Sequence, residues 1–200
     1  TYEEQPYGNV MDKICGRCFL GSFYDWHTIT GKEHVKKATK KDLKNFYDSF
    51  YRPDNATLII SGDIDVLKVK QYVERYFGKY EIGAVEDYQF SPPDTLRSKH
   101  YEEIGDDNAE LPAVFIGYRG PSVKETDHYA LRLFNLIMAE GKSSRLYKAM
   151  VADEKVAEKV TAMPLFLRHS GADFFKFVVS PKEDVEDVID LFHRELERFI

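Results

Sequence analysis

Apolar residues along this chain fall into short periodic stretches separated by turn signals. Residues 9–20 carry a helical pattern, and a loop rich in glycine and aromatics follows, with His27 in it. Thr39 stands where an N-cap is wanted. Leu43, Phe46, Tyr47 and Phe50 then recur at i, i+3, i+4 and i+7, which predicts a helix with one apolar stripe. Arg52-Pro53-Asp54-Asn55 reads as a turn, and residues 56–61 as a short buried strand ended by Gly62-Asp63. Asp65 is placed to cap the next helix, whose apolar face is Val66, Val69, Val73 and Phe77, with Gly78 as its stop.

The periodicity fades over 81–97, where Gly83, Pro92 and Pro93 mark a linker. Strands are expected near 98–104 and 112–118, then an amphipathic helix over 125–139 that buries Ala130, Leu133, Phe134, Ile137 and Met138. Gly141 closes that helix, and Ser143 or Ser144 opens another that runs to about Asp153. Strands near 156–167 and 172–180 lead into a last helix carrying Val185, Val188, Ile189, Phe192, Leu196 and Phe199. Residues 56–80 and 172–200 both read strand, turn, amphipathic helix. That order is common in α/β proteins and equally suits a duplicated unit. The fold class expected is α+β, with two-layer units of antiparallel-rich sheet covered by helices. Residues 1–80 would be the C-terminal part of a first unit, 81–97 a linker, and 98–200 a second, non-catalytic unit.

Composition narrows the classes. A 43% hydrophobic and 31% charged chain is globular rather than disordered, and its 14 Phe and 13 Tyr imply a bulky core. The net charge is -6, and the one basic cluster, Lys36-Lys37 with Lys40-Lys41, has no matching basic face, which argues against nucleic acid as a partner. No apolar run reaches the roughly 20 residues that span a bilayer, and no signal-peptide pattern opens the chain. It lacks an initiator Met and stops in mid-pattern, so it reads as an internal piece of a larger protein. Two cysteines argue against a disulfide-built secreted domain and leave a bacterial periplasmic or envelope location open.

Candidate chemistry is sparse. Cys15-Gly16-Arg17-Cys18 has redox-pair spacing but lies inside a helix-like run, and with only 2 Cys it makes half of a zinc site at most. Two small buried residues are the plainer reading. Gly141-Lys142-Ser143 is similar to the end of a phosphate loop, yet Leu136 stands where its first glycine belongs. The 6 His form no H-x-x-H, H-E-x-x-H or H-x-x-E-H, and His193 with Glu197 reads as a solvated helix pair. Asn55-Ala56-Thr57 fits the glycosylation sequon at the start of an expected strand. No catalytic, cofactor-binding or metal-ligating set is assigned.

A family resemblance rests on several runs in order: Tyr2-Glu3-Glu4-Gln5-Pro6-Tyr7-Gly8, Leu43-Lys44-Asn45-Phe46-Tyr47, Tyr51-Arg52-Pro53-Asp54-Asn55-Ala56-Thr57-Leu58, Gly62-Asp63, Leu111-Pro112-Ala113-Val114 and Gly141-Lys142-Ser143-Ser144-Arg145-Leu146-Tyr147. Together they resemble the pitrilysin/insulinase family of zinc metallopeptidases, which includes the mitochondrial processing peptidases. The resemblance implies two halves, each of two similar α+β domains, closing as a clamshell around an unfolded peptide. It implies zinc in the parent protein, on an H-x-x-E-H site in the first domain of the active half. The third ligand would then lie shortly before Thr1, with Glu3 the nearest candidate within the chain. Some members steady the oxyanion with an Arg and a Tyr; the corresponding places fall near Val151 and Glu158, which cannot do so. The implied function is a supporting, non-catalytic segment of a metalloendopeptidase. Its partners would be the remainder of its own polypeptide, a second metallopeptidase half, and the parent's peptide substrate. A catalytically inactive scaffold subunit of the same family, or a small thiol redox domain using Cys15 and Cys18, are the alternatives.

Overall fold

The computed structural model describes residues 4–25, 32–80 and 89–199. Most of the expected linker, together with Glu3 and His27, lies outside the described residues. Two compact units emerge: residues 4–25 with 90–199, and residues 32–80.

The larger unit is built on three antiparallel strands, β1 (Ala113–Gly120), β2 (Ala157–Phe166) and β3 (Gly171–Val179), in the order β1-β3-β2. β3 is central because it pairs on both sides: Val114 with Phe177 and Tyr118 with Asp173 on β1, Val160 with Phe177 and Pro164 with Asp173 on β2. Alternation along β3 therefore sorts the side chains. Asp173, Phe175, Phe177 and Val179 share one face, while Ala172, Phe174 and Lys176 share the other. Pro164, which has no N–H to donate to a ladder, stands on edge strand β2.

The first face takes the helices. Val185–Glu197 forms a helix here called α6, capped by Asp184, whose side chain accepts the Glu186 N–H. It buries Val188, Leu191 and Phe192, and the Phe192 ring lies 5.0 Å from that of Phe175 and 5.3 Å from that of Phe177. Asp127–Ala139 forms α5, closed by Gly141 at φ +77, a left-handed conformation that suits glycine. Residues 147–153 form a π-helix, whose Met150 joins Leu146, Met138 and Phe192 in the core.

The opposite face is covered at one end by α1 (Val10–Cys18). Cys18 and Phe19 are buried there with Ala172 and Phe174. Gly117 permits the approach, since a Cβ on it would come within 2.9 Å of Ile14 Cδ1 and 3.1 Å of Cys18 Sγ. The strand expected near 98–104 is not formed. That stretch is instead joined by side chains to the first described residues: Lys13 to Glu102 at 2.7 Å, with the Tyr7 N–H donating to Asp106 and its hydroxyl to the Leu111 carbonyl.

In the smaller unit, α2 (Lys32–Lys37), α3 (Lys40–Phe50) and α4 (Val66–Phe77) flank a short helical turn at Pro53–Asn55. The capping signals act as their chemistry dictates. Thr39 accepts the Asp42 N–H while Asp42 accepts the Thr39 N–H, a reciprocal box, and the Thr39 hydroxyl and then that N–H, both donating to Asp42, hold its exposed carboxyl below its usual range. Asp65 accepts from the Leu67 and Lys68 N–H groups. Burial is where the expectations fail. Neither α3 nor α4 has a buried residue, and residues 56–61 pair with no strand among the described residues, leaving Ile59 84% exposed. A strand is buried by its neighbours, and among the described residues none covers this one.

The buried side of α5 is also rotated from the expected one. Met138 is buried and Phe134 half-buried, but Ala130, Leu133 and Ile137 face outward while Asn135 and Ala139 face in. No described helix is long and apolar enough to cross a membrane. Phe192→Ala should cost about 3–5 kcal/mol in urea denaturation, as an aromatic deleted from a closed core. Leu133→Ala, at a position 57% exposed, should stay within about 0.5 kcal/mol.

Candidate functional site

The thiol pair is the motif with the most specific chemistry. Cys15 and Cys18 are both free and sit in the closing turns of α1, with Cys15 half-buried and Cys18 only 3% exposed. Burial pushes the Cys15 thiol up to about 11, with Cys18 and Asp12 adding to it. Burial also raises Cys18, opposed by the Arg119 guanidinium. Arg119 Nε donates to the Cys18 carbonyl at 2.5 Å, so its contact fixes the helix end rather than a thiolate. A redox pair needs a depressed thiol pKa, and this geometry does the reverse. Among the described residues no three His, Cys, Asp or Glu side chains are grouped to hold a metal ion.

The Gly141-Lys142-Ser143-Ser144-Arg145-Leu146-Tyr147 run has a structural account. Ser144 Oγ donates to the Gly141 carbonyl at 2.7 Å, which closes the turn after α5. Leu146 is fully buried. Arg145 lies over the Phe199 ring and reaches the buried carboxylate of Glu195 at 3.5 Å, and Arg198 takes the other Glu195 oxygen at 2.6 Å. Beside this network is a cleft of about 420 Å³ between the π-helix and α6, where Lys148, Asp153, Glu154 and Arg194 mix both signs of charge. Val151 is half-buried against the core and Glu158 is exposed on β2, so neither place carries an oxyanion donor.

Among the buried polar side chains, Glu195, Asn135 and Asp173 were not anticipated from the sequence. The signal was there as polar residues interrupting apolar stripes, Asn135 within α5 and Asp173 within a strand of Phe and Val. A second cleft of about 410 Å³ opens between α5 and β2, with Arg132, Asn135, Pro164 and Phe166 among its walls. On the far face of the sheet, Lys176 lies 4.2 Å from the Tyr7 ring centre and 5.2 Å from that of Phe115. Burial, and then Lys159, lowers its pKa.

The smaller unit leaves many large apolar side chains uncovered among the described residues: Leu43, Phe46, Tyr47, Leu58, Ile59 and Leu67 are all exposed. One test belongs to the thiols. Cys15 should react slowly with iodoacetamide near neutral pH, with the rate still climbing as pH approaches about 11. A rate that levels off below about pH 8 would contradict the burial described for α1.

Comparison with known proteins places this architecture. Residues 37–200 match the family described as Peptidase M16 inactive domain. The zinc protease PqqE of Helicobacter pylori is 25% identical over 178 residues, which cover 86% of this chain and 39% of that protein. The crystal structure of a protease from Helicobacter pylori is similar with a TM-score of 0.81 at 23% identity, over 98% of this chain and 48% of that one. That of a peptidase M16 inactive domain from Pseudomonas fluorescens gives 0.71 at 14% identity, over 98% and 48%. At such identities the two structures show a shared α+β fold, and the chain spans less than half the length of these relatives. With the profile matched over most of its residues, the chain belongs to the peptidase M16 inactive-domain family.

Proposed function

We propose that this chain is a supporting, non-catalytic segment of a zinc-dependent metalloendopeptidase that cleaves extended peptides inside a clamshell chamber. The observation that carries this reading is the match of residues 37–200 to an inactive-domain profile, beside a relative named a zinc protease. Zinc and its H-x-x-E-H ligands would belong to another part of the parent protein, where metal-bound water attacks the peptide carbonyl with a glutamate as base. The present residues would contribute chamber wall and contacts to a second half.

The division of labour along the chain follows. Residues 32–80 are assigned to the end of a first, zinc-type unit and 98–200 to a second unit, joined through 81–97; residues 4–25, expected with the first, pack instead with the second. The bare apolar surface of α3, α4 and residues 56–61 supports this, since a unit completed by further strands of its own polypeptide would cover it.

Metal analysis of the purified 200-residue chain, with hydrolysis of an unstructured peptide in the presence and absence of chelator, tests the proposal. The expected result is no stoichiometric zinc and no cleavage. One bound zinc per chain with chelator-sensitive cleavage would overturn it.

A further inference from the structure

Asp173 occupies the helix-covered face of β3, opposite Tyr118 on β1 and Pro164 on β2, and is 3% exposed. Its Oδ2 accepts a hydrogen bond from Asn135 Nδ2 on α5 at 3.0 Å. Asn135 is 4% exposed, and its Nδ2 donates as well to the Leu131 carbonyl at 3.0 Å. The other two oxygens of the pair, Asp173 Oδ1 and Asn135 Oδ1, are buried and accept nothing.

Two adjacent buried acceptors without a donor are a costly arrangement. One proton removes the cost. A neutral carboxylic acid facing a primary amide closes a ring of two parallel hydrogen bonds, amide N–H to one carboxyl oxygen and carboxyl O–H to the amide oxygen. The first of those bonds is already in place. We propose that Asp173 and Asn135 form a proton-operated latch between β3 and α5, in which the neutral acid makes both bonds and the carboxylate only one.

The surroundings favour the neutral form. From β1 the facing group is the Tyr118 phenol, which burial and Asp173 together raise. From β2 it is Pro164, without charge. On α5, Arg132 lines the adjoining cleft and His128 packs on Phe166. The Arg119 guanidinium is on the other face of the sheet, bonded to the Cys18 carbonyl. Burial pushes the Asp173 carboxyl up from 3.8 to about 6, outweighing the lowering by the Asn135 hydrogen bond and the neighbouring Phe174 N–H. With the folded value above the unfolded one, the folded chain keeps a proton that the unfolded chain loses between about pH 4 and 6. Stability from this pair is therefore highest in mild acid and falls as pH rises through about 6. The latch holds the helical wall of the α5–β2 cleft, so protonation sets how firmly that wall is seated.

The test is a pH titration of the Asp173 side-chain carboxyl carbon by NMR in the full chain, with urea denaturation of wild type and Asp173→Asn at about pH 4.5 and about pH 7.5. A midpoint near 6 is expected. Relative to Asp173→Asn, the wild-type folding constant should fall by roughly twenty- to thirtyfold from the acid to the neutral condition, because the folded carboxyl holds through this interval a proton that the unfolded one has mostly lost. If Asp173→Asn does not fold, amide exchange of α5 in the wild type is the second measurement. Protection corrected for intrinsic rate should be greater near pH 5 than near pH 7.5. A midpoint in the ordinary carboxylate range, parallel stability of the two proteins, or α5 protection indifferent to pH overturns the proposal.

Discussion

Phe192 of α6 rests on the rings of Phe175 and Phe177, and this three-ring contact sets the position of everything else in the larger unit. β3 is the strand paired on both sides, so the face on which its phenylalanines stand becomes the helical face of the whole sheet. A register slip of one residue would turn Lys176 and Phe174 toward α6 and Phe175 and Phe177 toward α1. Neither surface is built to receive them. The space above Gly117 is shaped for Ile14 and Cys18, and the pocket around Phe192 is closed by Met138, Leu146 and Met150.

The smaller unit shows what happens to similar local patterning when that constraint is missing. Its helices are capped by the right residues in the right places, and the segment before α4 has the apolar content of a strand. Caps are satisfied within a few residues, whereas burial requires a sheet. Without a paired strand, α3 and α4 keep their apolar stripes in the open. That contrast is the physical content of the proposed supporting role: one unit has its own core, and the other leaves its apolar side chains exposed among the described residues.

What was legible in the sequence follows the same line. Thr39, Asp65, Gly141 and the strand pair leading to α6 announce themselves through local chemistry and short periodicity, and the structure places them as expected. The exposure of Ile59 and the missing strand near Tyr101 were not legible, because pairing depends on partners distant in sequence. The inward turn of Asn135 was hidden for a related reason. Periodicity counts it as a break in an apolar face, and only Asp173, 38 residues away, makes it a buried donor. The Ser143-Ser144-Arg145-Leu146-Tyr147 run carried the family resemblance, while its structural work, a turn closure, a core leucine and a salt bridge to Glu195, appears only when α6 is in place.

Amide hydrogen exchange across the isolated chain tests the central claim most directly. A unit with its own core should protect β1, β2, β3, α5 and α6 far more strongly than α3, α4 and residues 56–61, because opening free energies follow buried contacts. Strong protection in the sheet and α6, with rapid exchange through 40–77, is the predicted result. Equal protection of both regions would mean that the smaller unit needs no further covering, and would contradict the account.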